Sequence, residues 1–128
     1  MGNENRKRLI RGTCIAAAFF MAAMIFFRAD TGAGIPLPPP WDKVVHFLYY
    51  GAMALLLAHG VGRRWLWIPL VLVPVIGAAD EWNQAGISGR DASIFDWVAD
   101  ELGTLLAVYV YYRWREKSGA EVRGTRAE

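Results

Sequence analysis

The chain has 128 residues, of which 55% are hydrophobic, 13% aromatic and 20% charged. A single domain is expected at this length, but a small soluble domain of so apolar a composition could not present a largely polar surface. The mean hydropathy is positive and the formal net charge is only +2, which favours a membrane protein and argues against nucleic acid binding. The lone Cys14 excludes an intramolecular disulfide.

Four apolar stretches follow one another along the chain, so we predict an all-α, polytopic membrane protein with about four transmembrane helices. The third stretch is too short to span a bilayer without the polar residues that follow it, which places those residues at the membrane edge. Pro69 and Pro74 favour a kink in that helix. The predicted helices are residues 9–27, 44–60, 65–84 and 94–114, in a transmembrane domain at 1–117 followed by a disordered cytoplasmic tail at 118–128.

The first apolar stretch has an alternative interpretation, because a basic start followed by apolar residues also describes a cleaved signal peptide. The stretch is longer than the apolar part of most signal peptides, and Arg28-Ala29-Asp30 after it offers no small-x-small cleavage site. We therefore expect a retained helix.

The distribution of basic residues predicts the orientation, because Lys and Arg accumulate in short cytoplasmic segments. With a cytoplasmic amino terminus, the outer side keeps only Arg28, Lys43 and Arg90. The remaining basic residues then face the cytoplasm: Arg6, Lys7, Arg8, Arg11, Arg63, Arg64, Arg113, Arg115, Lys117, Arg123 and Arg126. We predict a multi-pass protein of the plasma (bacterial inner) membrane with both termini inside.

Polar segments at the start of the second helix, the end of the third and the start of the fourth fall on the outer side in this topology. Charged groups inside a bilayer cost roughly 2.5 to 3.5 kcal/mol each near its centre, so several together call for partners or a function. Residues three or four apart share a helix face, which aligns His46 with Asp42, and Asp100 with Asp96. We predict one extracytoplasmic polar site formed by Asp42, Lys43, His46, Tyr50, Asp80, Glu81, Gln84, Arg90, Asp96 and Asp100.

Three interpretations of this site stay open. The acids, Lys43 and Arg90 could form a self-neutralising network that fixes the helix register. Alternatively, Lys43 and Arg90 could contact an anionic headgroup or another polar ligand. The third interpretation is catalysis on lipid headgroups, in which His46 or Glu81 would be the general base. The sequence alone does not assign the catalytic residues.

Metal and serine chemistry have little support in the pattern. Neither His-x-x-x-His nor His-Glu-x-x-His spacing occurs, so we predict no metal site and no cofactor. Ser88 and Ser93 lie near acids, but no nucleophile elbow surrounds either of them.

The polar segments also resemble a known family. Asp42-Lys43-x-x-His46-Phe47-x-x-Tyr50, Asp80-Glu81-x-x-Gln84, Gly89-Arg90 and Asp96-x-x-Ala99 with Gly103 are similar in order and spacing to the VanZ-like family of small bacterial membrane proteins. The resemblance covers roughly residues 41–107 and implies about four membrane-spanning helices. It also implies an association with low-level resistance to the glycopeptide antibiotic teicoplanin. Asp100 stands where the family commonly has asparagine.

We therefore expect an integral membrane protein of the cell envelope that binds a lipid-linked or cell-wall group at its outer face. A membrane-embedded hydrolase or transferase and a structural partner of another membrane protein are the alternatives. The expected partners are membrane lipids, such a ligand, or a neighbouring membrane protein.

Overall fold

The computed structural model describes residues 2–31, 37–86 and 93–124, with the backbone alone for 28–31 and 121–124. These residues form α1 (Asn3–Thr31), α2 (Trp41–Val61), α3 (Trp67–Ala85) and α4 (Ile94–Gly124), with a short 3-10 helix at Arg63–Trp65 before α3. No strand occurs within the described ranges. The predicted all-α class is confirmed.

Two of these helices are long and apolar enough to cross a membrane. They are the segments Asn3–Phe27 and Trp41–Val61, which meet this test by length and composition. The prediction of a membrane protein therefore has support from two spans, while four spans stay a prediction.

The outer helices are longer than their apolar stretches. α1 begins at Asn3, before the predicted start at residue 9, and α4 continues to Gly124, through part of the segment predicted to be disordered. Polar side chains make local contacts in these extensions: Lys7 pairs with Glu4 at 2.8 Å, and Ser118 Oγ donates to the Trp114 carbonyl at 3.1 Å. An apolar stretch thus marks the part of a helix that can enter a bilayer and not the end of the helix.

Neighbouring helices run antiparallel, which makes α2 and α4 parallel to each other. α1 places Arg11 against Gly60 and Met21 against Tyr49 of α2. α2 and α4 meet along their length, with contacts that advance in the same direction on both: Lys43 with Asp96, His46 with Asp100, Gly51 with Gly103, and His59 with Tyr111.

The closest crossing in this pair is between two glycines of α2 and α4. A Cβ atom on Gly103 would overlap the carbonyl oxygen of Phe47, and one on Gly51 would lie 3.2 Å from the carbonyl oxygen of Gly103. Backbones can approach this closely only where side chains are absent. The crossing brings the first turns of α2 and α4 together, and these turns carry the polar residues.

The core lies around α2 and holds mainly apolar side chains. Tyr50 also belongs to it, and its hydroxyl is the polar group of the core. Its buried members are Ala18, Ala22, Tyr50, Met53, Ala54, Leu57, Val73 and Val108. Many large apolar side chains on the outward faces are exposed, among them Phe19, Phe20, Val71, Val75, Leu102, Leu105 and Tyr109. An apolar outer surface of this kind is typical of contact with lipid or a protein partner.

The end opposite the polar residues is basic and aromatic. Arg63 Nη2 donates to the Tyr112 hydroxyl at 3.0 Å, and its guanidinium lies 4.6 Å from the centre of the same ring. His59 contacts the rings of Tyr111 and Trp114. Arg11 donates from Nε to the Gly60 carbonyl and from Nη2 to the Val61 carbonyl, both at 2.7 Å, and so satisfies the last turn of α2.

We expect Arg11→Ala to lower the free energy of unfolding by roughly 1 to 2 kcal/mol, because two carbonyls at a helix end lose a charged donor. Equilibrium unfolding in mixed detergent micelles measures this change. Arg8→Ala, at an exposed position of the same helix, is the control and should stay within about 0.5 kcal/mol of the parent. Equal effects of the two variants would contradict a capping role for Arg11.

Candidate functional site

The candidate site lies where α2 begins, α3 ends and α4 begins. The packing of α2, α3 and α4 against one another brings these turns together, although they are far apart in the sequence. We call the group the polar cluster, and its members are Asp42, Lys43, His46, Tyr50, Asp80, Glu81, Asp96 and Asp100.

Lys43 joins the first turn of α2 to the first turn of α4. Its Nζ lies 2.8 Å from Asp42 Oδ2 and 2.7 Å from Asp96 Oδ1. All three side chains are partly buried, with 33%, 25% and 15% of their surfaces exposed. The lysine is therefore paired with two carboxylates, one on its own helix and one on α4.

His46 and Asp100 form the second link between α2 and α4. His46 Nδ1 lies 3.0 Å from Asp100 Oδ1, and the Asp100 side chain is only 1% exposed. The imidazole also stacks on the Tyr50 ring, with centroids 6.0 Å apart and planes 8° from parallel. The ring of His46 is thus fixed by a carboxylate on one side and by an aromatic face on the other.

Tyr50 carries the network from α2 to α3. Its hydroxyl donates to Asp80 Oδ2 at 3.2 Å, and both residues are buried. The neighbouring Tyr49, which helical spacing places on the face of His46, instead donates its hydroxyl to the Met21 carbonyl of α1 at 2.9 Å. Tyr50 therefore belongs to the polar cluster, whereas Tyr49 fixes α1 against α2.

Glu81 binds the start of α4. Its Oε2 accepts a hydrogen bond from the backbone N–H of Ser93 at 2.6 Å. Ser93 Oγ in turn accepts from the N–H of Asp96 at 3.3 Å, which is an N-cap hydrogen bond. The structure thus gives the Ser93 hydroxyl a capping contact, and Glu81 fixes the residue that caps the helix.

His46, Glu81 and Asp96 also approach one another directly. One ring nitrogen and one oxygen from each carboxylate all lie within 4.8 Å of one another. Histidine spacing could not predict this group, because its three members come from three different helices.

Several buried oxygens in and near the site have no hydrogen-bond partner among the described residues. Within the described part of the chain, the buried oxygens without a hydrogen-bond partner are Asp42 Oδ1, Asp80 Oδ1, Glu81 Oε1, Asp100 Oδ2, Glu101 Oε1 and Thr104 Oγ1. Lys43 and His46 pair with Asp42, Asp96 and Asp100, so neither Asp80 nor Glu81 forms an ion pair with any described residue. The polar cluster therefore has more acceptors and more negative charge than its own side chains satisfy.

An open groove of about 430 Å³ adjoins the cluster between α3 and α4. Its walls are mostly apolar, and Glu81 reaches it from the polar cluster. The groove is lined by Ala78, Glu81, Trp82, Ala85, Ser93, Ile94 and Trp97. Trp97 Nε1 donates to the Pro74 carbonyl at 3.3 Å, which fixes one wall against α3.

Two of the predicted site residues, Gln84 and Arg90, are not among the members of the polar cluster defined above. The Gln84 side chain is half-buried on the last turn of α3 and makes no hydrogen bond to the described residues. Arg90 lies outside the described residues. Sequence reasoning did not identify the capping role of Ser93, the Trp97 contact or the buried Thr104, because each depends on how α3 and α4 pack.

Comparisons of the chain with protein-family models, with curated proteins and with solved structures give no match. The geometry of the polar cluster and the groove is therefore the basis for a functional proposal.

Proposed function

We propose that the chain is a multi-pass, VanZ-like integral membrane protein that binds the headgroup of a lipid or lipid-linked envelope molecule in its polar cluster. The proposal depends most on one observation: an apolar groove meets a buried, acceptor-rich cluster at Glu81. A molecule that fills both must have an apolar part and a polar part, which is the chemistry of a lipid.

Membrane insertion is supported by surface chemistry as well as by the two apolar helices. The outward faces of α3 and α4 expose large apolar side chains, such as Val71, Val75, Leu102 and Leu105. The acidic cluster and the basic, aromatic end are at opposite ends of the bundle. The positive-inside rule then places Arg11 and Arg63 in the cytoplasm and the polar cluster at the outer face.

The charge of the cluster limits the chemistry of the ligand. Lys43 is already paired with two carboxylates, so it offers no free positive charge to an anionic group. The oxygens of Asp80 and Glu81 that have no partner among the described residues call instead for hydrogen-bond donors. Hydroxyl and amino groups of a sugar-bearing or amine-bearing headgroup meet that requirement.

Groove access is tested by filling the groove. Ala78 is an exposed residue of its lining, whereas the adjacent Ala79 is exposed but outside it. We expect Ala78→Trp to weaken lipid binding at least tenfold, which corresponds to about 1.4 kcal/mol, because the indole would occupy the space of the apolar part. Ala79→Trp is the matched control and should bind as the parent does.

Binding is measured by native mass spectrometry of the full chain in detergent with a defined set of lipids. Phosphatidylethanolamine and a prenyl-linked saccharide offer donors in the headgroup, and phosphatidylcholine is the comparison without them. Preference for the first two, lost in Ala78→Trp, supports the proposal. Equal binding of all three lipids, or equal binding by the two tryptophan variants, would refute it. An effect on teicoplanin susceptibility stays a prediction of the family resemblance.

A further inference from the structure

We propose that His46, Glu81 and Asp96 bind one divalent metal ion of the Zn²⁺ or Mn²⁺ type. The inference deepens the proposed function and rests on the same polar cluster. It assigns a metal site where sequence spacing predicted none. Four observations support it, concerning the ligand atoms, the second partner of the histidine, the buried oxygen of Glu81 and the remaining charges.

The ligand atoms are already close. One nitrogen of His46 and one oxygen each of Glu81 and Asp96 lie within 4.8 Å of one another. Ligand atoms roughly 2.1 Å from a common ion are about 3 to 4.2 Å apart. Small side-chain rotations therefore bring the three atoms into coordination distance without a change in the helix packing.

The histidine is oriented as a metal ligand. Metal-binding histidines usually donate their second ring N–H to a carboxylate, which fixes the ring and its tautomer. His46 Nδ1 contacts Asp100 Oδ1 at 3.0 Å, and Asp100 is fully buried. Nε2 is then the nitrogen left for an ion, and the Tyr50 ring holds the imidazole plane in place.

The carboxylate of Glu81 offers one oxygen to a metal ion. Glu81 is 9% exposed, and its Oε1 is buried without a hydrogen-bond partner among the described residues. A buried carboxylate oxygen without a partner loses its hydration and gains nothing in return, so a bound cation would stabilise it. Ser93 holds the other oxygen, Oε2, so the carboxylate is oriented with one free ligand atom.

The neighbouring charges leave room for a cation. Lys43 pairs with Oδ1 of Asp96, so Oδ2 is the oxygen that can bind an ion without breaking this contact. Asp80 and Glu81 have no basic partner in the described part of the structure, so an added divalent charge would lower the local repulsion.

The donor set indicates the type of ion. Imidazole favours Zn²⁺ and other first-row transition ions, whereas carboxylates alone favour Mg²⁺ or Ca²⁺. One imidazole with two carboxylates leaves further coordination positions open. A headgroup phosphate could occupy such a position, which would allow an acid-rich cluster to hold an anionic group.

The test uses the full-length protein in detergent, freed of metal with a chelator and given Mn²⁺ or Zn²⁺ alone. We expect one ion per chain by equilibrium dialysis, and electron spin-echo modulation from ¹⁴N of histidine in the Mn²⁺ sample. His46→Ala should lose the nitrogen signal and weaken binding at least tenfold. His59→Ala, at the opposite end of the bundle, should keep both.

Asp100→Asn provides a second readout, because it keeps the side-chain shape but weakens the support of the imidazole, and it should lower affinity roughly 10- to 100-fold. A parent protein that binds no ion, or binds Mn²⁺ without a nitrogen signal, would overturn the inference even if a variant failed to fold. No lipid is present in this test, so its failure would leave the groove test with Ala78→Trp unaffected, and failure of the groove test would leave metal binding intact.

Discussion

Replacement of His46 by alanine is expected to lower the free energy of unfolding by roughly 3 kcal/mol, the upper end of the range for a buried acceptor that loses its hydrogen-bond partner. The reason is that Asp100 is 0% exposed and loses the group that binds its Oδ1. Equilibrium unfolding in mixed micelles gives the measurement.

A double-mutant cycle separates this effect from lost packing. His46→Ala with Asp100→Ala removes both members of the pair and should recover much of the stability lost by the single histidine variant. His59→Ala controls for the loss of an imidazole, because His59 contacts aromatic rings and no carboxylate among the described residues. Additive effects of the two single changes would show that the pair is not coupled.

Addition of one methyl group at Gly103 is expected to destabilise the protein by roughly 1 to 3 kcal/mol, the usual cost of overpacking a tight contact. The new Cβ would overlap the carbonyl oxygen of Phe47. Backbone cannot move aside as the end of a flexible side chain can, so α2 and α4 would have to separate. The measurement is thermal unfolding of Gly103→Ala in detergent.

Gly12→Ala is the matched control, because a Cβ at Gly12 of α1 would have nothing within 4 Å. Alanine is the better helix former by roughly 0.5 to 1 kcal/mol, so this variant should unfold at the same temperature as the parent or higher. A Gly103→Ala protein as stable as Gly12→Ala would show that the α2–α4 crossing is looser than the structure has it.

The helices could be predicted from the sequence because apolar stretches and turn residues are local signals. The polar cluster could be predicted in outline for a similar reason. His46 lies four residues after Asp42, and Asp100 lies four residues after Asp96, so each pair shares a helix face. Which side chains pair could not be derived. Tyr49 and Tyr50 are adjacent in the sequence, yet one binds the Met21 carbonyl and the other Asp80, and only the positions of α1 and α3 decide between them.

The contacts between α3 and α4 were equally beyond sequence reasoning. From the sequence, Ser93 is one polar residue near the start of α4. Only the structure shows that Glu81 accepts a hydrogen bond from its backbone N–H. The sequence around Pro74 predicts an interruption of the helical hydrogen bonds. It does not predict that the Trp97 indole of α4 donates to the Pro74 carbonyl. Such pairs have no periodicity along the chain, because they follow from packing between separate elements.

The parallel pairing of α2 with α4 has a consequence for biosynthesis. Lys43 and His46 are translated well before Asp96 and Asp100, and α3 separates the two pairs along the chain. A nascent chain that has completed α2 therefore holds an ammonium group and an imidazole whose carboxylate partners on α4 do not yet exist. The links that Lys43 and His46 make to α4 can therefore form only after α4 has been synthesised.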